Sequence, residues 1–194
     1  MKKIMTSVQR EKKSRRNQLI IGVILAFLMI ASTVGFALEN SMRSTNGGKS
    51  VIYKGITFTK DDLGSDWIFQ FGSNVFTTKN NPDDAKGISF STNFSLANYQ
   101  DKPLYIIGKG DAIYEMSRNL QPIVARVQDA CLSKEDCPEN YPIKKCSEDN
   151  IIIVKEPSDG REYLYQEENC LYIIANSKNQ FLYADKLLFS ILGI

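Results

Sequence analysis

"LYIIGKGD", Leu104–Asp111, decides how the C-terminal part of this 194-residue chain is read. Leu104 to Ile107 is a short continuous apolar run that suits a buried strand, and Gly108 and Gly110 break it. Asp111 then offers a side chain that can cap a helix by accepting backbone N–H bonds. The helix that follows places Ile113, Met116, Leu120, Ile123, Val127 and Cys131 on one face at spacings of three and four. Pro122 lies inside that pattern, so a kink or break is expected near Leu120. "GKGD" is also the one feature resembling a phosphate loop. Two glycines and a lysine fall far short of G-x-x-x-x-G-K-[ST], and the turn is read as a capped strand-to-helix connection.

Upstream, "VIYKGITFT" and "DWIFQF" have strand composition, with Trp67, Phe69 and Phe71 alternating onto one face. Gly72-Ser73 reads as a two-residue hairpin turn that returns "NVFTT" as the partner strand. "NNPDDAKG" is a loop, and "ISFSTNFSL" is read as a further strand. Downstream, "IIIVKE" (Ile151–Glu156) is a strand expected to pair with "EYLYQ" across Pro157-Ser158-Asp159-Gly160. "CLYIIA" follows as another buried strand. A helix from Lys178 to Leu192 closes the chain, apolar at Phe181, Ala184, Leu188 and Ile191. Residues 51–194 therefore predict one α+β domain with antiparallel strands and two main helices.

The N-terminal part has a different character. Residues 1–16 carry seven basic residues against Glu11, a net +6, while the remainder of the chain carries −4. Asn17 to Leu38 follows with no charge and no proline over 22 residues. As a helix that run covers about 33 Å, enough to cross a hydrocarbon core of roughly 30 Å. The basic flank orients it by the positive-inside rule: residues 1–16 cytoplasmic, 17–38 transmembrane, 39–50 a polar stalk, and 51–194 outside. A cleaved secretory signal is the competing reading, with Gly35-Phe36-Ala37 as the peptidase site. However, the apolar run exceeds the roughly seven to fifteen residues of a signal h-region, which favours an uncleaved anchor. Gly22 and Ala26 form a small-xxx-small pair, the pattern of a weak homodimer contact between spans. Beside a span, the basic segment meets anionic lipid rather than nucleic acid.

Four cysteines in an exported domain predict two disulfides. Cys131 and Cys137 are separated by five residues, Cys137 and Cys146 by eight, and Cys146 and Cys170 by twenty-three, with no C-x-x-C. The expected bonds are Cys131–Cys137, a local loop, and Cys146–Cys170, which joins the starts of two strands of one sheet. The pairing Cys137–Cys146 with Cys131–Cys170 ranks second. Asn93-Phe94-Ser95 is a sequon that exposes Asn93 to glycosylation in an exported domain.

The search for chemistry returns little. Histidine is absent, which removes the usual general base, the serine and cysteine triads and most catalytic zinc sites. The acidic neighbours Asp61-Asp62, Asp83-Asp84, Glu148-Asp149 and Glu167-Glu168 read as solvated turns rather than paired catalytic carboxylates or calcium ligands. No cofactor, metal or catalytic residue is indicated.

The basic tail and apolar span, "YKGITFT", "CPENYPIKKCSEDNIIIVKE", "YQEENCLYII" and the closing "LLFSILGI" together resemble archaeal single-pass membrane proteins with an exported, cysteine-containing domain. The resemblance covers nearly the whole chain. It implies an architecture but no activity and no site residue, because no activity is established for that family. The expected function is a membrane-anchored extracytoplasmic domain with a binding or structural role, facing an envelope protein or a glycan. The alternative is a histidine-free ecto-enzyme, such as a glycan hydrolase, using carboxylates or Lys109 in place of histidine.

Overall fold

The computed structural model describes Ile20, Ile21, residues 23–26, Met29 and residues 49–135 and 137–194. The chain divides into two units, Met1–Gly47 and Gly48–Ile194. In the first, the described residues are helical and their apolar side chains are exposed. Among the described residues, no helix is long and apolar enough to cross a membrane. Most of the expected span 17–38, Gly22 of the small-residue pair, the basic tail 1–16 and the stalk up to residue 48 lie outside the described residues.

The second unit is α+β and opens with a four-stranded antiparallel meander, β1 (Ser50–Tyr53), β2 (Ile56–Lys60), β3 (Trp67–Phe71) and β4 (Asn74–Thr78). "VIYKGITFT" is therefore two strands rather than one. Lys54 and Gly55, both at positive φ, make the tight turn between them, and Gly72-Ser73 makes the next, as its glycine predicts. Phe58, Trp67, Phe69 and Phe76 face inward, whereas Ile52, Ile68 and Val75 stay exposed.

The second sheet runs in the order β6-β5-β7-β9-β8, from β5 (Pro103–Ile107), β6 (Arg126–Asp129), β7 (Asn150–Lys155), β8 (Tyr163–Glu167) and β9 (Cys170–Ile174). β5 pairs in parallel with both β6 and β7, and β7 with β9; only β8–β9 is antiparallel. The expected pairing of "IIIVKE" with "EYLYQ" does not occur. β7 is buried on both faces from Ile151 to Val154 and needs a neighbour on each side, a pattern typical of a central parallel strand. β8 instead turns back on β9 through Glu168-Asn169, with Glu168 at positive φ.

Helix α1 (Asp111–Leu120) ends before Pro122, but the expected continuation to Cys131 is absent. Past the proline, Arg126–Asp129 becomes β6, and Val127 reaches the core by strand alternation instead of helical spacing. Gly110, not Asp111, occupies the N-cap position. "ISFSTNFSL" forms no strand and leads into a 3-10 turn at Leu96–Asn98. The last helix, α2 (Gln180–Leu192), forms as expected and ends on Gly193 in the left-handed region.

Both helices lie between the two sheets. α2 is buried nearly all round: Ala184, Leu187 and Leu188 join the core with Ile152, Val154, Leu171 and Ile173 of the second sheet. Phe189 meets Phe58 and Phe69 of the meander at ring distances of 5.9 and 6.0 Å. Both expected disulfides are present, with Cα separations of 5.9 Å for Cys131–Cys137 and 5.0 Å for Cys146–Cys170. The physical setting of the first differs from the expectation. Cys131 follows a strand and bridges in parallel to Ile143 rather than ending a helix.

Phe189 is the one side chain of α2 in ring contact with two strands of the meander, so Phe189→Ala should cost about 3–5 kcal/mol through the cavity it leaves. Urea unfolding of the variant checks this; a loss under about 1 kcal/mol would show that the meander does not depend on the contact.

Candidate functional site

Three polar residues sit where helical spacing would put apolar ones: Glu115 and Asn119 on α1 and Asp185 on α2, all buried. Each satisfies the backbone at the edge of the meander. Asn119 accepts from Thr77 N–H at 2.9 Å and donates to Thr77 C=O at 2.8 Å, taking the place of a neighbouring strand. Lys79 N–H donates to Glu115 Oε1 at 3.2 Å. Asn80 donates both its backbone N–H and its side-chain amide to Asp185 Oδ2, at 2.8 and 2.9 Å.

Charge balance in this seam is specific. Arg118 bridges Glu115 at 2.8 Å and Asp66 at 2.9 Å, and Lys79 meets Asp66 at 2.5 Å. Burial pushes the Asp66 carboxyl up, but the bonds from Lys79 and Arg118 outweigh it and hold the group below its ordinary range. Two cations thus match Asp66 and Glu115, and Asp185 is left over. Burial first, then the nearby Glu115 carboxyl, raise Asp185 well above its ordinary 3.8. Glu115 Oε2 and Asp185 Oδ1 are both buried without a hydrogen-bond partner, and a proton held on Asp185 relieves the excess negative charge of the seam. This is a structural pair: both side chains have zero exposure, and no substrate reaches them.

The outward face of the second sheet carries tyrosines. Tyr165 stacks on its register partner Tyr172 at 4.1 Å and 9°, and Tyr163 lies 5.7 Å from Tyr165 along β8. Tyr163 and Tyr165 are 46% and 36% exposed, while Tyr172 is buried beneath the strip. Burial, with the neighbouring Tyr165 and Glu167, pushes the Tyr172 hydroxyl up to about 12, so it stays a neutral donor, to Glu167 Oε2 at 3.3 Å. At the other end of the face, Lys144 Nζ lies 4.1 Å from the centre of the Tyr105 ring and Arg126 donates to its hydroxyl at 3.1 Å. Cys146–Cys170 ties the stretch beside Lys144 to β9, and Cys131–Cys137 closes a local loop before it.

A cleft of about 470 Å³ opens at the carboxyl ends of β5, β7 and β9, lined by Lys109, Asp111, Lys155, Glu156, Ser177 and Gln180 among others. From β5 the chain passes to β6 on one side and to β7 on the other, so the cleft lies where the strand order reverses, the usual ligand position in open α/β sheets. Gly108 and Gly110 are required here. A Cβ on the first would meet the Val154 carbonyl, and one on the second the Gln180 side-chain amide.

Of the residues singled out from sequence, all four cysteines are paired as expected and Lys109 lines the cleft. Asn93 is exposed, its carbonyl accepting from Gln166 Nε2 at 2.6 Å. The adjacent acids sit in turns and local ion pairs, such as Asp61 with Ser65 and Asp149 with Lys144. Sequence reading missed the Glu115–Asp185 pair, seventy positions apart. The available signal was Asp185 itself, four residues after Phe181 and three before Leu188 on the apolar face. Among the described residues no group of side chains is arranged to hold a metal ion. No family model, characterised protein or solved structure matches the chain.

Because the folded-state value of Asp185 is raised, its stabilising proton is fully held below pH 3.8 and is lost as pH rises through the raised value. Asp185→Asn should therefore flatten the alkaline side of the stability curve and leave the protein at least as stable as wild type at pH 9. The amide is neutral at every pH and keeps an oxygen for Asn80. Urea midpoints between pH 5 and 9 measure this; an unchanged pH slope would remove Asp185 as its source.

Proposed function

We propose that the chain is a single-pass membrane protein of the cell surface whose exported domain binds an envelope glycan through the tyrosine strip of β8 and β9. The observation that carries this reading is the rigid, partly exposed pair Tyr163 and Tyr165, backed by the stacked ring of Tyr172. Such a strip offers flat apolar faces with polar tips, and tyrosine loses little side-chain entropy on binding. A sugar ring has the complementary form, one face of C–H bonds and a rim of hydroxyls. A protein partner suits the strip less well, because a stable interface takes about 800 Å² per side. The adjoining Ile153, Tyr172 and Ile174 are already buried and add no open apolar area.

Export is supported by the pairing of all four cysteines and by the uncharged run 17–38 behind its basic flank. The hydrolase alternative has less support. The carboxyl groups of Glu115 and Asp185 are sealed from solvent, and Glu156 in the cleft is engaged by the Ser177 hydroxyl at 2.7 Å.

Right-side-out vesicles carrying the full chain test both halves of the proposal. They should capture polysaccharide prepared from the cell envelope and freed of protein. Tyr163→Ala with Tyr165→Ala should weaken capture by about tenfold or more. Protease added outside should remove residues 49–194. Undiminished capture by the double variant, or capture only of envelope that still bears protein, would reject the glycan face; full protection from protease would reject the orientation.

A further inference from the structure

We infer that the outward face of the meander β1–β4 docks flat on the head-group layer of a bilayer and turns the tyrosine strip away from it. The inference rests on the membrane-anchored reading proposed above and assigns a surface that reading does not use. An antiparallel sheet with one face in water ordinarily carries charged side chains on that face. No outward position of these four strands is charged. Ile52, Ile68 and Val75 stand on it at 73%, 39% and 65% exposure. Thr57, Thr59, Ile68, Gln70 and Val75 share one shallow groove of about 410 Å³. Lys60, at its rim, is turned aside onto the Trp67 ring at 4.8 Å and the Ser65 carbonyl at 3.3 Å. The face is thus flat, uncharged and largely β-branched, with aliphatic groups to insert and threonine hydroxyls to stay among head groups and water.

Area separates a bilayer from a protein partner as the occupant. Four strands about 4.8 Å apart, each about five residues long at 3.4 Å per residue, give a face of roughly 300 Å². A stable protein interface takes about 800 Å² per side, so a second copy or a soluble partner is poorly served by it. A bilayer to which the domain is already tethered needs no such area. Residues 39–48 are all that separates the uncharged run from the domain, and fully extended they reach at most about 35 Å. That reach is only about twice the radius of gyration of a domain this size, roughly 15 Å. At the resulting effective concentration the weak attraction of three aliphatic side chains is enough to hold the face down. Direction agrees with this assignment. Both helices lie between the two sheets, so the outward faces of the sheets point opposite ways. With the meander against lipid, Tyr163 and Tyr165 look out toward the envelope.

The full chain in phosphatidylcholine nanodiscs, with a nitroxide on the head group of a minor lipid, tests the docking through amide relaxation. Thr57, Thr59, Ile68 and Val75 should relax severalfold faster than Tyr163 and Tyr165. The triple variant Ile52→Thr, Ile68→Thr and Val75→Thr keeps β-branched side chains at exposed positions, so it should fold normally, and its meander should relax no faster than its tyrosine strip. Equal relaxation of the two sheets in wild type, or an enhancement that the triple variant retains, would overturn the docking while leaving the anchor in place. A chain that does not enter nanodiscs at all would overturn the anchor reading and the docking with it. Enhancement of the same meander amides by a spin-labelled second copy, with no nitroxide on the lipid, would replace the bilayer by a partner chain and so also reject the inference.

Discussion

The edge of β4 is the constraint around which the domain is arranged. An edge strand leaves a row of unpaired N–H and C=O groups, and here that row and the two residues after it lie half-buried against the helices. Asn119, Glu115 and Asp185 take over the role, binding Thr77, Lys79 and Asn80 in turn. Three polar side chains are thereby committed to fixed positions on two helices far apart in sequence. Their placement sets how both helices meet the meander, and the aromatic contacts of Phe189 then pack against an already oriented frame. Burying these groups unpartnered would cost several kcal/mol, so the seam favours one arrangement and penalises its alternatives.

Holding the helices between two sheets has consequences at both exposed surfaces. α1 and α2 must start from the same end of the second sheet, since each follows a parallel strand, β5 or β9. Their N-termini therefore share one cleft, with glycines where the backbones come closest. The opposite face of that sheet has no helix to cover it. The stretch around Lys144, tied to β9 by Cys146–Cys170, covers the end near Tyr105 and leaves Tyr163 and Tyr165 open at the other. Export and fold are linked at this point. The cover has little apolar content of its own, and its attachment depends on oxidised cysteines.

Much of this was legible in the sequence wherever the signal was local. Alternation at Trp67, Phe69 and Phe71 with Gly72-Ser73 after them marked a hairpin, and the polar gap between Cys131 and Cys137 marked a short loop. Cys146 and Cys170 could be paired because each precedes or begins a strand of one sheet, and Ile151 is indeed the register partner of Cys170. What stayed hidden depended on distant partners. β6 has a single inward apolar residue, Val127, whose spacing from Ile123 mimics a helix. The order of β7, β8 and β9 follows from which strand is buried on both faces, and a turn rich in Pro, Asp and Gly between β7 and β8 suggests a hairpin that does not form. Nothing local marks Glu115 and Asp185 as buried partners of the strand edge, because the backbone they serve lies thirty-six and one hundred and five residues away. The cleft was equally out of reach, since Lys109, Glu156 and Gln180 meet only once three strands are aligned.

Amide hydrogen exchange at Thr77, Lys79 and Asn80 tests the seam most directly. If Asn119, Glu115 and Asp185 hold these three amides as described, they exchange only through global unfolding, with the same free energy and the same urea dependence as the amides of α2. Exchange within minutes, independent of urea and typical of a solvated edge strand, would contradict the account and leave the buried carboxyl pair without its structural purpose.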